Sequence, residues 1–181
     1  MQLRQVFQAS RVIGLCFIAL SCSREGQHQP ATSLSATGLR LVSLAPKSGE
    51  GREQAFTLVA FNSNGANGLK SVRLLVNEGV DGRNACYVFY TPGDNRLLLT
   101  DNESTGSTAA QPGADTILEN SQCRLNAKTS SASAAGDTVT LTVSLGFQPS
   151  FAGTKHLFGY LEDNSGATTS FQDLGVWVVT P

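Results

Sequence analysis

Few side chains in this chain are equipped for chemistry, and its four cysteines, Cys16, Cys22, Cys86 and Cys123, are the most telling. A thiol can be acylated, oxidised to a disulfide, bound to a metal or used as a nucleophile, and the surrounding residues decide which. With only His28 and His156 as imidazole partners, a zinc centre has too few ligands. Cys86 and Cys123 lie far from a C-x-x-C spacing, which argues against redox catalysis and for a structural pair. G-x-S-x-G, H-E-x-x-H and G-x-x-x-x-G-K-[ST] are all absent. The acids lie mainly in turn-rich segments, and no two stand out as a pair for glycoside hydrolysis. His156 alternates with Phe158 and Tyr160 and reads as a strand residue rather than a base. The chain is therefore expected to hold no catalytic residue, no metal ligand and no cofactor.

The first cysteines belong to the head of the chain. Arg4 and Arg11 make the first eleven residues basic, and residues 12–20 (VIGLCFIAL) are continuously apolar. A helix of that length covers about 14 Å, under half of a ~30 Å hydrocarbon core. A short apolar run behind a basic start reads as a secretory signal over residues 1–21. Its end, Ala19-Leu20-Ser21-Cys22, resembles the lipobox of bacterial lipoproteins, in which the cysteine becomes the acylated first residue of the mature chain. The family places Leu three before the cysteine, where this chain has Ala19. Ala19-x-Ser21 also satisfies the small-x-small rule for ordinary signal cleavage. Thiol parity favours acylation: with Cys22 lipidated and Cys16 removed, Cys86 and Cys123 remain as an even pair for an oxidising compartment. The resemblance implies sorting as well, because Ser23 rather than Asp follows the cysteine, favouring the outer membrane.

Residues 22–38 are polar and without apolar periodicity, a flexible tether between lipid and folded body; His28 lies within it. Residues 39–181 are the size of a single domain. The net charge is −1 and only 15% of residues are charged, so the sequence carries no basic footprint for nucleic acid. Residues 138–147 (TVTLTVSLGF) alternate strictly. Val139, Leu141, Val143, Leu145 and Phe147 fall on one face, and Thr138, Thr140, Thr142, Ser144 and Gly146 on the other. A sheet with one wet face is antiparallel. Weaker strands are expected at 39–45, 54–61, 71–77, 85–91, 96–100, 122–127, 155–162 and 175–180. Turn chemistry separates them, as at Asn64-Gly65, Asn67-Gly68 and Asp81-Gly82. Two long polar stretches, 101–114 and 128–137, flank the Cys86–Cys123 region, so the disulfide is expected to staple an insertion poor in apolar surface.

Residues 54–61 (QAFTLVAF), the Asn-Gly turns and residues 71–77 (SVRLLVN) resemble the second and third strands of bacterial Ig-like domains. Residues 155–166 followed by 174–179 resemble their final hairpin. More narrowly, Asn64-Gly65, Ala85-Cys86-Tyr87, the 95–99 segment (NRLLL), Asn120-Ser121-Gln122-Cys123, Phe151-Ala152-Gly153-Thr154-Lys155 and Asp163-Asn164-Ser165-Gly166 occur in an order that resembles a module recurring in large secreted bacterial proteins. The resemblance implies an Ig-like antiparallel β-sandwich and brings no activity with it. Phe171 stands where that pattern has Trp.

Two ligand readings remain open. Asn62, Asn64, Asn67, Asp163 and Asn164 could offer hard oxygens to calcium if their loops meet, though the same residues are ordinary turn formers. Tyr87, Phe89, Tyr90 and Trp177 could form a glycan platform or pack in the core; Tyr87 and Phe89 share a face that Tyr90 opposes. The expected function is that of a non-enzymatic, lipid-anchored extracytoplasmic Ig-like domain acting in binding, adhesion or structural display at the cell envelope, probed against an envelope protein or glycan as partner. The alternative is a carbohydrate-binding module, with a secreted enzyme of unknown type the weakest reading.

Overall fold

The computed structural model describes residues 38–181. The signal segment, Cys22, His28 and all of the tether but Gly38 lie outside the described residues. Twelve strands follow in order: β1 (Leu39–Ala45), β2 (Ser48–Glu50), β3 (Glu53–Asn62), β4 (Leu69–Asn77), β5 (Cys86–Thr91), β6 (Arg96–Thr100), β7 (Ser107–Ala110), β8 (Ile117–Glu119), β9 (Cys123–Ala135), β10 (Thr138–Phe147), β11 (Gly153–Asp163) and β12 (Gln172–Val179). The described helices are two single 3₁₀ turns, Ala66–Gly68 and Pro149–Phe151. Among the described residues no helix is long and apolar enough to cross a membrane.

The strands form two sheets, ordered β1-β3-β10-β9-β8 and β2-β12-β11-β4-β5-β6-β7. Pairing is antiparallel except where β2 lies parallel to β12. The N-terminal segment thus begins on the smaller sheet and ends on the larger, changing over at the cis Ala45–Pro46 bond. This order is that of a variable-type immunoglobulin sandwich, A-B-E-D against A′-G-F-C-C′-C″, with β7 and β8 added at the sheet edges. The fold is the expected Ig-like β-sandwich. It departs from antibody domains in its fastening: the disulfide joins β5 to β9 instead of the second and sixth principal strands, and the tryptophan is on the last strand.

β10 explains why two layers form. Val139, Leu141, Val143, Leu145 and Phe147 are all buried, while Thr138, Thr140, Thr142 and Ser144 are only half-buried on the outer face. One face of a period-two strand must be covered by another layer. Leu74, Val76, Val88, Leu97, Leu99, Leu157 and Leu161 of the larger sheet supply that cover, in one continuous core.

The two stretches read as polar insertions are partly strand. β7 lies within 101–114, and β9 runs on through Ala135 to a tight turn at Gly136-Asp137. Both escape the sequence pattern for one reason: their inner faces carry Ala and Ser, so there is little apolar contrast to alternate. In β9 a bulge opposite Val143 buries Ser130, whose hydroxyl donates to the Asn126 carbonyl at 2.6 Å and accepts from the Ser144 amide at 3.0 Å. Cys86 and Cys123 are bonded across the two sheets, 37 residues apart with Cα atoms 5.5 Å from each other. The loop they close contains the rest of β5 together with β6, β7 and β8, so the staple holds an insertion that includes the edge strands β7 and β8.

Candidate functional site

The outer face of the larger sheet carries the most concentrated surface chemistry. Register places Arg73 of β4 opposite Phe89 of β5 on one side and Tyr160 of β11 on the other. Leu98 of β6 extends this row beyond Phe89, and Phe171, just before β12, lies 5.0 Å from the Tyr160 ring. The guanidinium is held between two rings, with its central carbon 4.7 Å from the Phe89 centroid and 4.6 Å from that of Tyr160. Cation–π contact stabilises this stack, most where water is partly excluded.

Arg73 is also fixed in its plane. Its Nε donates to Ser71 Oγ at 2.9 Å, and Nη2 donates to Glu162. The other Glu162 oxygen accepts from Lys70 Nζ at 2.6 Å. Lys70, Ser71, Arg73 and Glu162 therefore form one network on neighbouring strands. The hydrogen bond from Lys70 holds the Glu162 carboxyl below its ordinary value against the opposing effect of burial, with the Arg73 charge adding to the lowering.

Beside this row lies a second, deeper one. Tyr87, Leu75 and Phe158 are opposite one another across β5, β4 and β11 and, with Ala85, form a small core of their own, against which Phe89 and Phe171 pack. Phe171 reaches Tyr87 with ring centroids 6.1 Å apart. Burial raises the Tyr87 phenol above its ordinary pKa, offset in part by Arg73. The surface is thus a mostly covered aromatic layer from which Leu98, Phe89, Arg73, Tyr160 and Phe171 emerge half-buried.

The residues singled out from sequence divide sharply. Tyr87 and Phe89 share this outer face as expected, and Tyr90 opposes them. Trp177 and Tyr90, however, are core residues, 4% and 7% exposed. Trp177 packs edge-on against Phe56 and donates from Nε1 to the Gly51 carbonyl at 2.8 Å, while the Tyr90 hydroxyl bonds Asn95 Oδ1 at 3.0 Å. Neither presents a flat face to a sugar. Phe171 packs against Tyr160 and Tyr87, with ring centroids 5.0 and 6.1 Å away. Arg73 and Glu162 were not legible as a pair, because 89 residues separate them and only the β4–β11 register brings them together.

The two Asn-rich loops do meet. Asn164 donates to the Asn67 and Gly68 carbonyls, at 3.0 and 2.9 Å. Two of their side-chain oxygens are engaged within the loops: Asp163 Oδ1 accepts from the Ser165 amide, the Ser165 hydroxyl and the Ala167 amide, and Asn62 Oδ1 from the Asn64 amide. Among the described residues no three His, Cys, Asp or Glu side chains converge as a metal cluster. His156 bonds Asp173 at 2.7 Å and stacks on Phe158, at the margin of the aromatic face. Shallow hollows of about 350 and 240 Å³ flank the sandwich, the first lined by Lys70, Thr91, Asp94 and Asn164, the second by Glu53, Ile117, Arg124 and Asn126.

No family model matches this chain, and no curated protein matches it.

Proposed function

We propose that this chain is a non-enzymatic, lipid-anchored extracytoplasmic domain that binds a partner at the cell envelope. The basic start, the short apolar run and Cys22 support export and acylation; two acyl chains on one cysteine suffice for stable anchoring. The observation that carries the binding reading is the half-buried row Leu98, Phe89, Arg73, Tyr160 and Phe171. Aromatic side chains and arginine, pre-positioned by packing from beneath, are what binding hot spots are made of. Leu98, Phe89, Arg73 and Tyr160 stand on strands and Phe171 directly precedes one, so little order is lost when a partner covers the row.

Cross-linking of the full-length protein in its own envelope, followed by capture, tests this. Wild type is expected to retain an envelope protein or polymer that the Phe89→Ala/Tyr160→Ala variant releases, with the variant still folded by circular dichroism. Equal capture by both, or capture of nothing by wild type, would overturn the reading. Replacing Cys22 by Ser is expected to move the protein from the membrane fraction to the soluble one.

A further inference from the structure

We propose that the protein pairs with a second copy of itself through the open edge of β9. β8 covers β9 only from Arg124 to Asn126, and beyond it no described strand pairs with β9 on the side away from β10. Ser131 to Ala135 are nonetheless regular strand, in register with Thr142 to Thr138. The two-residue turn at Gly136-Asp137 sets the direction of the backbone groups. In such a hairpin the closing pair, Ala135 and Thr138, exchanges both bonds, so Ser133 and Ser131 bond toward β10. Ala132 and Ala134 must then aim their N–H and C=O groups outward, away from the sheet.

An open edge is ordinarily blunted by charge, proline or bulge. The other edges of this sandwich are: β1 carries Arg40 and a bulge between Leu41 and Ser43, and β2, β7 and β8 run only three or four residues. Residues 129–136 (TSSASAAG) contain no charge and no proline. The chemistry that satisfies outward amides and carbonyls is another extended backbone, and this edge fits itself. A two-fold axis perpendicular to the sheet requires a residue to face its own copy. With Ser133 on the axis, Ala132 faces Ala134 of the second copy and each such pair forms two hydrogen bonds. All side chains brought together are then Ser or Ala.

The ends of the run decide the occupant. Lys128 precedes it and Asp137 ends it, both exposed. Antiparallel pairing about Ser133 carries the Gly136-Asp137 turn of each copy past the start of the run in the other, toward its Lys128. Two symmetric ion pairs result, with Lys128 exchanging its exposed 3.2 Å contact to Asp115. Room exists for the incoming turn, since a hollow of about 180 Å³ lies between Ser130, Ser131 and Ala132 and the chain at Asn95, Pro112 and Gly113. Five residues per copy bury less than the ~1,000 Å² of a stable interface. The dimer is accordingly weak in solution and is favoured by confinement of both copies to one surface. The pairing itself does not depend on the aromatic face.

Cysteine cross-linking of the full-length chain in its own envelope tests the register. Residue 133 faces its copy in a non-hydrogen-bonded pair, with Cα atoms about 4.5 Å apart, within disulfide reach. Ser133→Cys is expected to give a disulfide dimer at least tenfold more abundant than Ser144→Cys, which lies on β10. In the Ser133→Cys background, Lys128→Glu is expected to cut the yield several-fold, and Asp137→Lys likewise. Co-expressing those two charge variants is expected to restore it, because each mixed dimer regains both ion pairs. Cross-linking of Ser133→Cys at the Ser144→Cys level overturns the proposal. So does a yield unaffected by the charge variants, or a loss that mixing does not rescue.

Discussion

Trp177 and Gly51, 126 residues apart, are joined by a hydrogen bond of 2.8 Å from the indole Nε1 to the glycine carbonyl. The bond closes one corner of the sandwich, where β2 runs parallel to β12 and the Phe56 and Trp177 rings meet at 5.4 Å. Trp177→Phe keeps most of the apolar contact but leaves the Gly51 carbonyl without its donor. A loss of about 1–3 kcal/mol is expected in urea unfolding. Because the chain has one tryptophan, wild-type fluorescence reports this corner directly, while circular dichroism is the probe for the variant.

Gly175 admits no side chain at the same corner. A Cβ there would stand 1.9 Å from the Lys47 carbonyl oxygen, the oxygen that accepts the Val176 amide at 2.8 Å. The obstacle is backbone and cannot rotate away. Gly175→Ala should cost about 3 kcal/mol or more by overpacking and release β2, seen as rapid amide exchange at residues paired with 48–50. Gly159→Ala should be milder, since its nearest obstacles are the flexible tips of Leu41 and Leu174.

The disulfide end of the sandwich depends on two devices. Asn120 Nδ2 donates to the carbonyls of Ala85 and Thr100, and Oδ1 accepts from the amides of Gln122 and Cys123, all within 3.0 Å. Replacing both Cys86 and Cys123 by Ala should lower stability by roughly 4 kcal/mol on the chain-entropy estimate for a loop of this length. Asn120→Asp should cost about 1–3 kcal/mol, because it keeps the acceptor and removes both donated bonds. If the Asp variant unfolds at the wild-type urea midpoint, the side-chain amide is not stitching the sheets.

Acid should loosen the aromatic face. The Glu162 carboxyl is held below its ordinary value of 4.5, first by the hydrogen bond from Lys70. A depressed carboxyl contributes stability that is fully present above the unfolded value and is lost as pH falls through the folded one. Thermal stability should therefore decline from about pH 4.5 downward. Asp81 is held at about 2 by hydrogen bonds from Arg83. Glu162→Gln should flatten the upper part of that decline; a variant with the full wild-type acid slope would show that Glu162 carries none of it.

Arg73 is expected to tolerate Lys poorly. An ammonium cannot bond Ser71 and Glu162 while lying flat between Phe89 and Tyr160. Arg73→Lys should cost roughly 1 kcal/mol and raise the exposure of the two rings, measurable as a gain in dye binding to the folded protein.

Local pattern was enough for most of the sandwich. β10 is bounded in the structure as its alternation indicates, and the bounds expected for β1 and β6 hold as well. Alternation also placed Tyr87 with Phe89 and against Tyr90, since period two is a property of the strand alone. What alternation cannot convey is which sheet a face is turned toward. Alternation therefore left Trp177 and Tyr90 open between a glycan platform and the core, where they lie, and it gave no sign that Arg73 and Glu162 are neighbours. β7 and the far half of β9 stayed hidden because Ser and Ala give no contrast between their faces.

The sequence by itself determined a β-rich domain of one-domain size, with turns where the strands must reverse. Those are local properties of composition, periodicity and residue type. Only the tertiary structure decided that Cys86 and Cys123 bond across the two sheets, that Arg73 lies between Phe89 and Tyr160, and that β9 keeps an open edge. Each of those depends on pairing register between strands distant in the chain. Register is fixed by the summed burial of whole faces, not by any residue read singly.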